Sequence, residues 1–310
     1  NVIASVMGMN GTGKSSFIKL LTGNKDIKVG QSINPETMDI ATYQFLQGDG
    51  LEVTLVDTPG FDDTRPQKSD SRLLGEIIDF LLERQTKKSM NGLIYFHRIS
   101  DVRFGNTATH NIRMFSRLCG PEAMRNVVIL TTRWDETRHH VAVKAEAQLM
   151  NSHFKEFVDN GAQVLRHNNT VVSARGVVSS ILALPPIGHL QIVDELLSGR
   201  SLFETEAGRE LDSQLAQLET QHVQEINALR EQYIAAHSAA DKALQAEIKS
   251  LREELLTKLR KVEKDKVNLA RMKGLTSVAA QGVKIGANIP FLPGVLGPMV
   301  GGALGGVADH

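Results

Sequence analysis

The chain has 310 residues, 41% hydrophobic and 23% charged, which is ordinary globular material with room for one large domain and an appendage. Lys plus Arg and Asp plus Glu balance at 35 each, so composition offers no electrostatic case for nucleic-acid binding, and any charge function must be local. A single cysteine, Cys119, excludes an internal disulfide and a cysteine metal cluster, suits a reducing compartment and reads as packing at a helix end.

The chain opens at Asn1 inside an apolar run with no initiator Met and no signal-peptide pattern, as if trimmed to a domain edge. The first strand is expected over VIASVM, residues 2 to 7, and leads into MGMNGTGKSS and then the helical FIKLL. Gly8, Gly13, Lys14 and Ser15 satisfy GxxxxGK[ST] between a strand and a helix, the context that separates a phosphate loop from a chance match. Its glycines let backbone N–H groups face phosphates, Lys14 reaches the β and γ oxygens, and Ser15 offers a hydroxyl to Mg²⁺. Asn10, Gly11, Thr12 and Ser16 complete the expected nucleotide contacts.

QSINPETMDIATYQ follows, in the position of a switch loop. Thr37 is the residue expected to meet Mg²⁺ and the γ-phosphate and so to order that loop; Thr42, already in the next strand, is its rival. ATYQFL (41 to 46) and LEVTLVD (51 to 57), joined by QGDG, predict an antiparallel hairpin. The second strand ends in Asp57-Thr58-Pro59-Gly60, where Asp57 is placed to hold the metal through water and Gly60 to give the γ-phosphate an N–H. The position after Gly60, a glutamine in Ras-type enzymes, is Phe61, followed by Asp62 and Asp63, so slow intrinsic hydrolysis or outside assistance is expected.

Strands are expected at GLIYFH (92 to 97), NVVILT (126 to 131) and TVVS (170 to 173). After the fifth comes Thr131-Thr132-Arg133-Trp134-Asp135, a variant of the [NT]KxD guanine loop. Thr132 holds the first place of that motif; Asp135 would accept the N1 and N2 hydrogens of guanine, and Arg133 would stack along the purine. Ser173-Ala174-Arg175 matches the small loop that supports the base through backbone N–H groups.

Residues 204–273 carry apolar side chains at helical spacing, a long helix or helical hairpin whose seam weakens at HSAAD, where a bend is one reading and a small-residue contact another. Seven acids face two bases between Glu204 and Glu231, and seven bases face two acids between Lys258 and Lys273, a polarity that favours antiparallel pairing. A coiled coil and a helix packed along the domain both remain open. Residues 274–310 form a glycine-rich apolar segment, uncharged from Ile285 to Ala308 and interrupted by Pro290, Pro293 and Pro298, suited to entering a bilayer or to burial against protein. The predicted fold is α/β, a P-loop NTPase three-layer sandwich with a mostly parallel sheet and one antiparallel hairpin over residues 1–200, followed by a coiled-coil-like helical extension.

GMNGTGKSS, DTPGF, GLIYFHRISDVRFG and TTRWD resemble the septin-related GTPases that include the immunity-associated AIG-type proteins and the Toc chloroplast-import receptors, most closely the AIG-like G-domain proteins of fungi. The resemblance implies a homodimer paired across the nucleotide face and membrane association through C-terminal sequence. It also implies that Arg103, with Arg98 nearby, matches the Toc arginine that reaches the partner's nucleotide. The expectation is a slow, Mg²⁺-dependent GTPase that binds GTP and GDP, switches dimerisation and contacts no nucleic acid, in the cytoplasm or on an intracellular membrane. A membrane scaffold with negligible turnover and an ATP-using mechanical protein are the alternatives.

Overall fold

The computed structural model describes residues 2–27, 40–48, 50–60, 69–85, 90–101, 104–238 and 241–272. Thr37, Phe61, Asp62, Asp63, Arg103 and residues 274–310 lie outside them. Strands β1 (Val2–Gly8), β2 (Ala41–Gln47), β3 (Leu51–Asp57), β4 (Gly92–Arg98), β5 (Val127–Thr132) and β6 (Gln163–Arg166) form one sheet in the order β2-β3-β1-β4-β5-β6. All neighbours run parallel except β2 and β3, which are antiparallel as the QGDG turn predicts. This is the expected α/β arrangement, a mostly parallel sheet with one antiparallel hairpin.

Side-chain alternation explains the layers, because successive strand residues point to opposite faces and both faces are covered. Val6, Ile94, Phe96, Val128 and Leu130 pack against Phe17, Ile18, Val177 and Ile181, which belong to α1 (Lys14–Thr22) and α6 (Val171–Leu182). Met7, Leu93, Tyr95 and Ile129 face the other layer. It contains α2 (Asp70–Gln85), α3 (Asn106–Cys119), α4 (His139–Asn151), α5 (Lys155–Asp159) and α7 (Gln191–Leu197). Cys119 ends α3, and burial pushes its thiol pKa up, so it packs as a small apolar side chain.

The strand expected at TVVS is instead the start of α6. Thr170 caps that helix by accepting the Ser173 N–H at 3.2 Å, while Val171 and Val172 stay exposed, so a local cap outweighs the β-branched preference. The sheet edge is filled by the four residues QVLR of β6, too short to stand out by pattern.

Two long helices, α8 (Glu206–Ser238) and α9 (Lys242–Arg271), run antiparallel to one another as a hairpin. Asp241 caps α9 by accepting from the Leu244 N–H at 3.0 Å, and Lys266 pairs with Glu219 at 2.6 Å across the hairpin. Leu211 and Leu215 of α8, with Val262 and Leu269 of α9, share one core cluster with Leu74, Ile77 and Ile112. The base of the hairpin is therefore part of the globular core. Buried Asp265 of α9 also takes hydrogen bonds from the Ser69 side chain and the Asp70 backbone, capping α2, the helix that follows the DTPGF loop. Among the described residues no helix is long and apolar enough to cross a membrane.

Two buried histidines, His97 and His110, have pKa values lowered by burial from 6.5 to about 4, and His97 is the one packed within an aromatic cluster. His97 of β4 stacks on Phe104 at 5.0 Å and meets the edge of Phe154 at 5.6 Å. The unfolded chain thus binds a proton that the folded chain refuses. Stability should be complete above pH ~6.5 and fall by about 3 kcal/mol for this one group as pH drops to ~4. Urea unfolding of the protein and of His97→Phe at both ends of that window checks it; an unchanged pH slope in the variant would refute the assignment.

Candidate functional site

The site gathers at the C-terminal ends of β1, β3, β4 and β5, where an open α/β sheet changes direction between β3-β1 and β4-β5. β1 ends at Gly8, whose φ of 136° is rarely open to a side chain and which lies in register with Phe96 of β4. Gly13 closes the loop in a left-handed conformation and caps α1 without a side-chain bond, at the helix end whose N–H groups lack intrahelical acceptors and favour an anion. Lys14 is 6% exposed, and its Nζ donates to the carbonyls of Gly8 at 2.7 Å and Met9 at 2.9 Å. The ammonium is thereby held across the loop mouth.

Thr12 is buried, and its hydroxyl donates to the Met9 carbonyl at 2.8 Å, pinning the loop from within. Asn10, Ser15 and Ser16 are half-buried along the loop and first turn, and Gly11 is exposed. Asp57 stands at the end of β3 in register with Val6, 2% exposed, and the next residue, Thr58, donates both N–H and hydroxyl to the Val6 carbonyl, at 3.2 and 3.0 Å. These bonds fix the DTPG turn, with its buried Gly60, beside the phosphate loop. Among the described residues no group of three or more His, Cys, Asp or Glu side chains could hold a metal by itself. One hydroxyl and one carboxylate, Ser15 and Asp57, are hard oxygen donors that fit Mg²⁺, a metal that keeps waters and takes its other ligands from nucleotide phosphates.

β5 ends at Thr132, whose hydroxyl donates to the Thr12 carbonyl at 2.8 Å. The TTRWD stretch is therefore bonded directly to the phosphate loop. Arg133 adopts a left-handed conformation, φ 60°, and its Nη1 pairs with Glu136 at 2.7 Å, so the guanidinium expected over a purine is engaged beside the loop. Trp134 packs inward, donating its indole N–H to Thr131, while Arg166 lies 4.2 Å over its ring. Asp135 is exposed at the tip of the turn.

The base support assigned to Ser173 and Ala174 needs correction. Both N–H groups are already donated to Thr170, at 3.2 Å to its hydroxyl and 3.0 Å to its carbonyl, as the first turn of α6 requires. The loop that opens at the sheet's edge is His167–Thr170, where Asn169 is left-handed and buried His167 meets the Ser173 hydroxyl at 2.7 Å. The signal for this loop was the pair Asn168-Asn169, residues that tolerate left-handed backbone.

Residues 3–103 match a family described as 50S ribosome-binding GTPase, which covers about a third of the chain. No curated protein matches the sequence. Among solved structures, Toc33 from Arabidopsis thaliana with Mg²⁺ and GMPPNP is 18% identical, with 55% of this chain and 71% of that chain covered at a TM-score of 0.44. Toc33 with GDP and Mg²⁺ is 18% identical over 61% of this chain and 87% of that chain, at a TM-score of 0.47. The chloroplast translocon components atToc33 and psToc159, for whose GTPase activity dimerization is described as important, are represented at 20% identity, 58% and 81% coverage and a TM-score of 0.45.

Proposed function

We propose that the protein is a guanine-nucleotide switch that binds GTP with Mg²⁺, hydrolyses it slowly and pairs with a second copy across its nucleotide face. The observation that carries this is the Thr132–Thr12 bond, which ties the TTRWD loop to the phosphate loop and so supports one ligand spanning both. Loop N–H groups and Lys14 would hold the phosphates, and Ser15, Thr37 and Asp57 would hold the metal. When bound, Mg²⁺ neutralises charge on the β and γ oxygens. Pairing rests on the resemblance of HRISDVRFG, in which Arg103 is the residue that would cross to the partner. The fungal AIG-like relationship and cytoplasmic or membrane-surface location belong to the same proposal; flotation with anionic liposomes before and after deletion from Gly274 tests the membrane part, and equal flotation would remove it.

The base is tested by competition against a fluorescent guanine nucleotide. GTP should displace it and ATP should not, because Asp135 accepts two hydrogens that adenine does not offer together. Asp135→Asn should weaken GTP binding by about 2 kcal/mol, roughly thirtyfold, from the loss of a paired acceptor. Equal competition by ATP, with no effect of the substitution, would leave a P-loop protein that does not read guanine. GTPase rate against protein concentration then separates a dimerising switch, whose specific rate rises, from a scaffold that turns over at no concentration.

A further inference from the structure

Arg98 occupies a place that the fold itself does not explain. β4 lies beside β1 in the sheet, with Phe96 opposite Gly8, so the last residue of β4 emerges next to the phosphate loop. The Arg98 Nε is held by Asp101 Oδ2 at 3.0 Å, and the Asp101 N–H returns to the Arg98 carbonyl at 3.1 Å to close the turn. Its Nη1 stands 3.3 Å from the point where a Cβ on Gly11 would be. One side of the guanidinium is thus fixed by a carboxylate, while the other covers the exposed rim of the phosphate loop at Gly11, a residue with φ +74°. Half-exposed, the Arg98–Asp101 pair contributes at most about 1 kcal/mol to folding, which leaves its orientation as its main consequence.

We propose that Arg98 is a catalytic arginine acting in cis: its guanidinium contacts the phosphates of the nucleotide held in its own chain's loop. This rests on the GTP-binding function proposed above and adds a residue to it, distinct from Arg103, which would act on the partner. In hydrolysis, a water oxygen forms a bond to the γ-phosphorus as the bond from that phosphorus to the β–γ bridging oxygen breaks. The electron pair stays on GDP, and the water's proton leaves with inorganic phosphate. Negative charge grows on the bridging oxygen, and a planar cation fixed at the loop rim stabilises it more in the transition state than in the bound substrate. Asp101 is the positioning residue, since its carboxylate accepts from the Arg98 Nε and so orients the fork. Phe61 stands where Ras-type enzymes carry glutamine, so the sequence leaves the role of a charge-stabilising or water-orienting group to another residue or to slow intrinsic turnover.

The test uses the full chain, both dilute enough to remain monomeric and at concentrations where dimers form, with three readouts: GDP affinity, affinity for GDP with Mg²⁺ and fluoroaluminate, and single-turnover GTP hydrolysis. Arg98→Ala should bind GDP about as well as the parent, lose the tightening that fluoroaluminate produces, and hydrolyse GTP on the order of 10³-fold more slowly. Arg98→Lys should recover little, because a point charge does not reproduce the fork. Three results would overturn the assignment: GDP affinity and melting temperature falling in step with hydrolysis, which marks a structural brace; a deficit confined to concentrations at which dimers form, which marks a trans contact; and no change in either fluoroaluminate binding or rate. Failure of the parent protein to bind GDP at all would instead strike the underlying GTP-binding proposal.

Discussion

Lys14→Ala is expected to abolish measurable GTP and GDP binding while leaving the chain folded. The Lys14 ammonium is 6% exposed and already held over the loop mouth by the Gly8 and Met9 carbonyls, so little ordering remains when phosphates arrive. Charge-assisted hydrogen bonds contribute about 1.5–3 kcal/mol each, and the loss of two amounts to a hundredfold or more in affinity. The substitution also leaves two loop carbonyls without their donor, so circular dichroism and thermal unfolding must accompany the titration. Retained affinity in a folded variant would remove Lys14, and with it the phosphate-loop assignment.

Gly8→Ala should produce the largest loss of stability among the loop glycines. A Cβ at Gly8 would lie 2.5 Å from the Phe96 carbonyl oxygen and 3.1 Å from its nitrogen, on the backbone of the adjacent central strand. That strand is held to β1 through the Gly8–Phe96 register and to β5 on its far side, so it cannot retreat without opening the sheet. The φ of +136° adds conformational strain to the clash. Together they should cost about 2–5 kcal/mol, a melting temperature lower by roughly 10 °C. Gly13→Ala is the control, because its added Cβ would meet nothing within 4 Å and only its φ of +99° opposes the substitution. Equal stability of Gly8→Ala and the parent would show that β1 and β4 do not approach as described.

Much of the fold was legible because the informative signals are local. The phosphate loop announces itself by glycine and lysine spacing between a strand and a helix, and the QGDG turn by its position between two strand patterns. The weakening of the helical seam around Ala235 to Ala243 left a bend and a small-residue contact both open; α8 ends at Ser238 and Asp241 caps α9. The same local logic failed at TVVS, where β-branched valines suggested a strand but Thr170 and Ser173 spelled a helix start. Misplacing that strand carried the base-supporting loop to Ser173 and Ala174, whose N–H groups the helix uses.

The residues that connect distant parts of the chain gave no such signal. Nothing around Thr132 indicates that its hydroxyl meets the Thr12 carbonyl, 120 positions earlier, or around Asp265 that it caps α2. Arg98 looked like a neighbour of Arg103 until the sheet placed it at the rim of the phosphate loop. By itself the sequence determined the local conformations, the strand and helix patterns and the identity of the phosphate loop, since backbone preference and hydrophobic periodicity act over a few neighbouring residues. Which strand ends meet was decided by tertiary structure alone: the order β3-β1-β4-β5 brings Asp57, Lys14, Arg98 and Thr132 to one edge, and that order comes from packing two helical layers on the sheet.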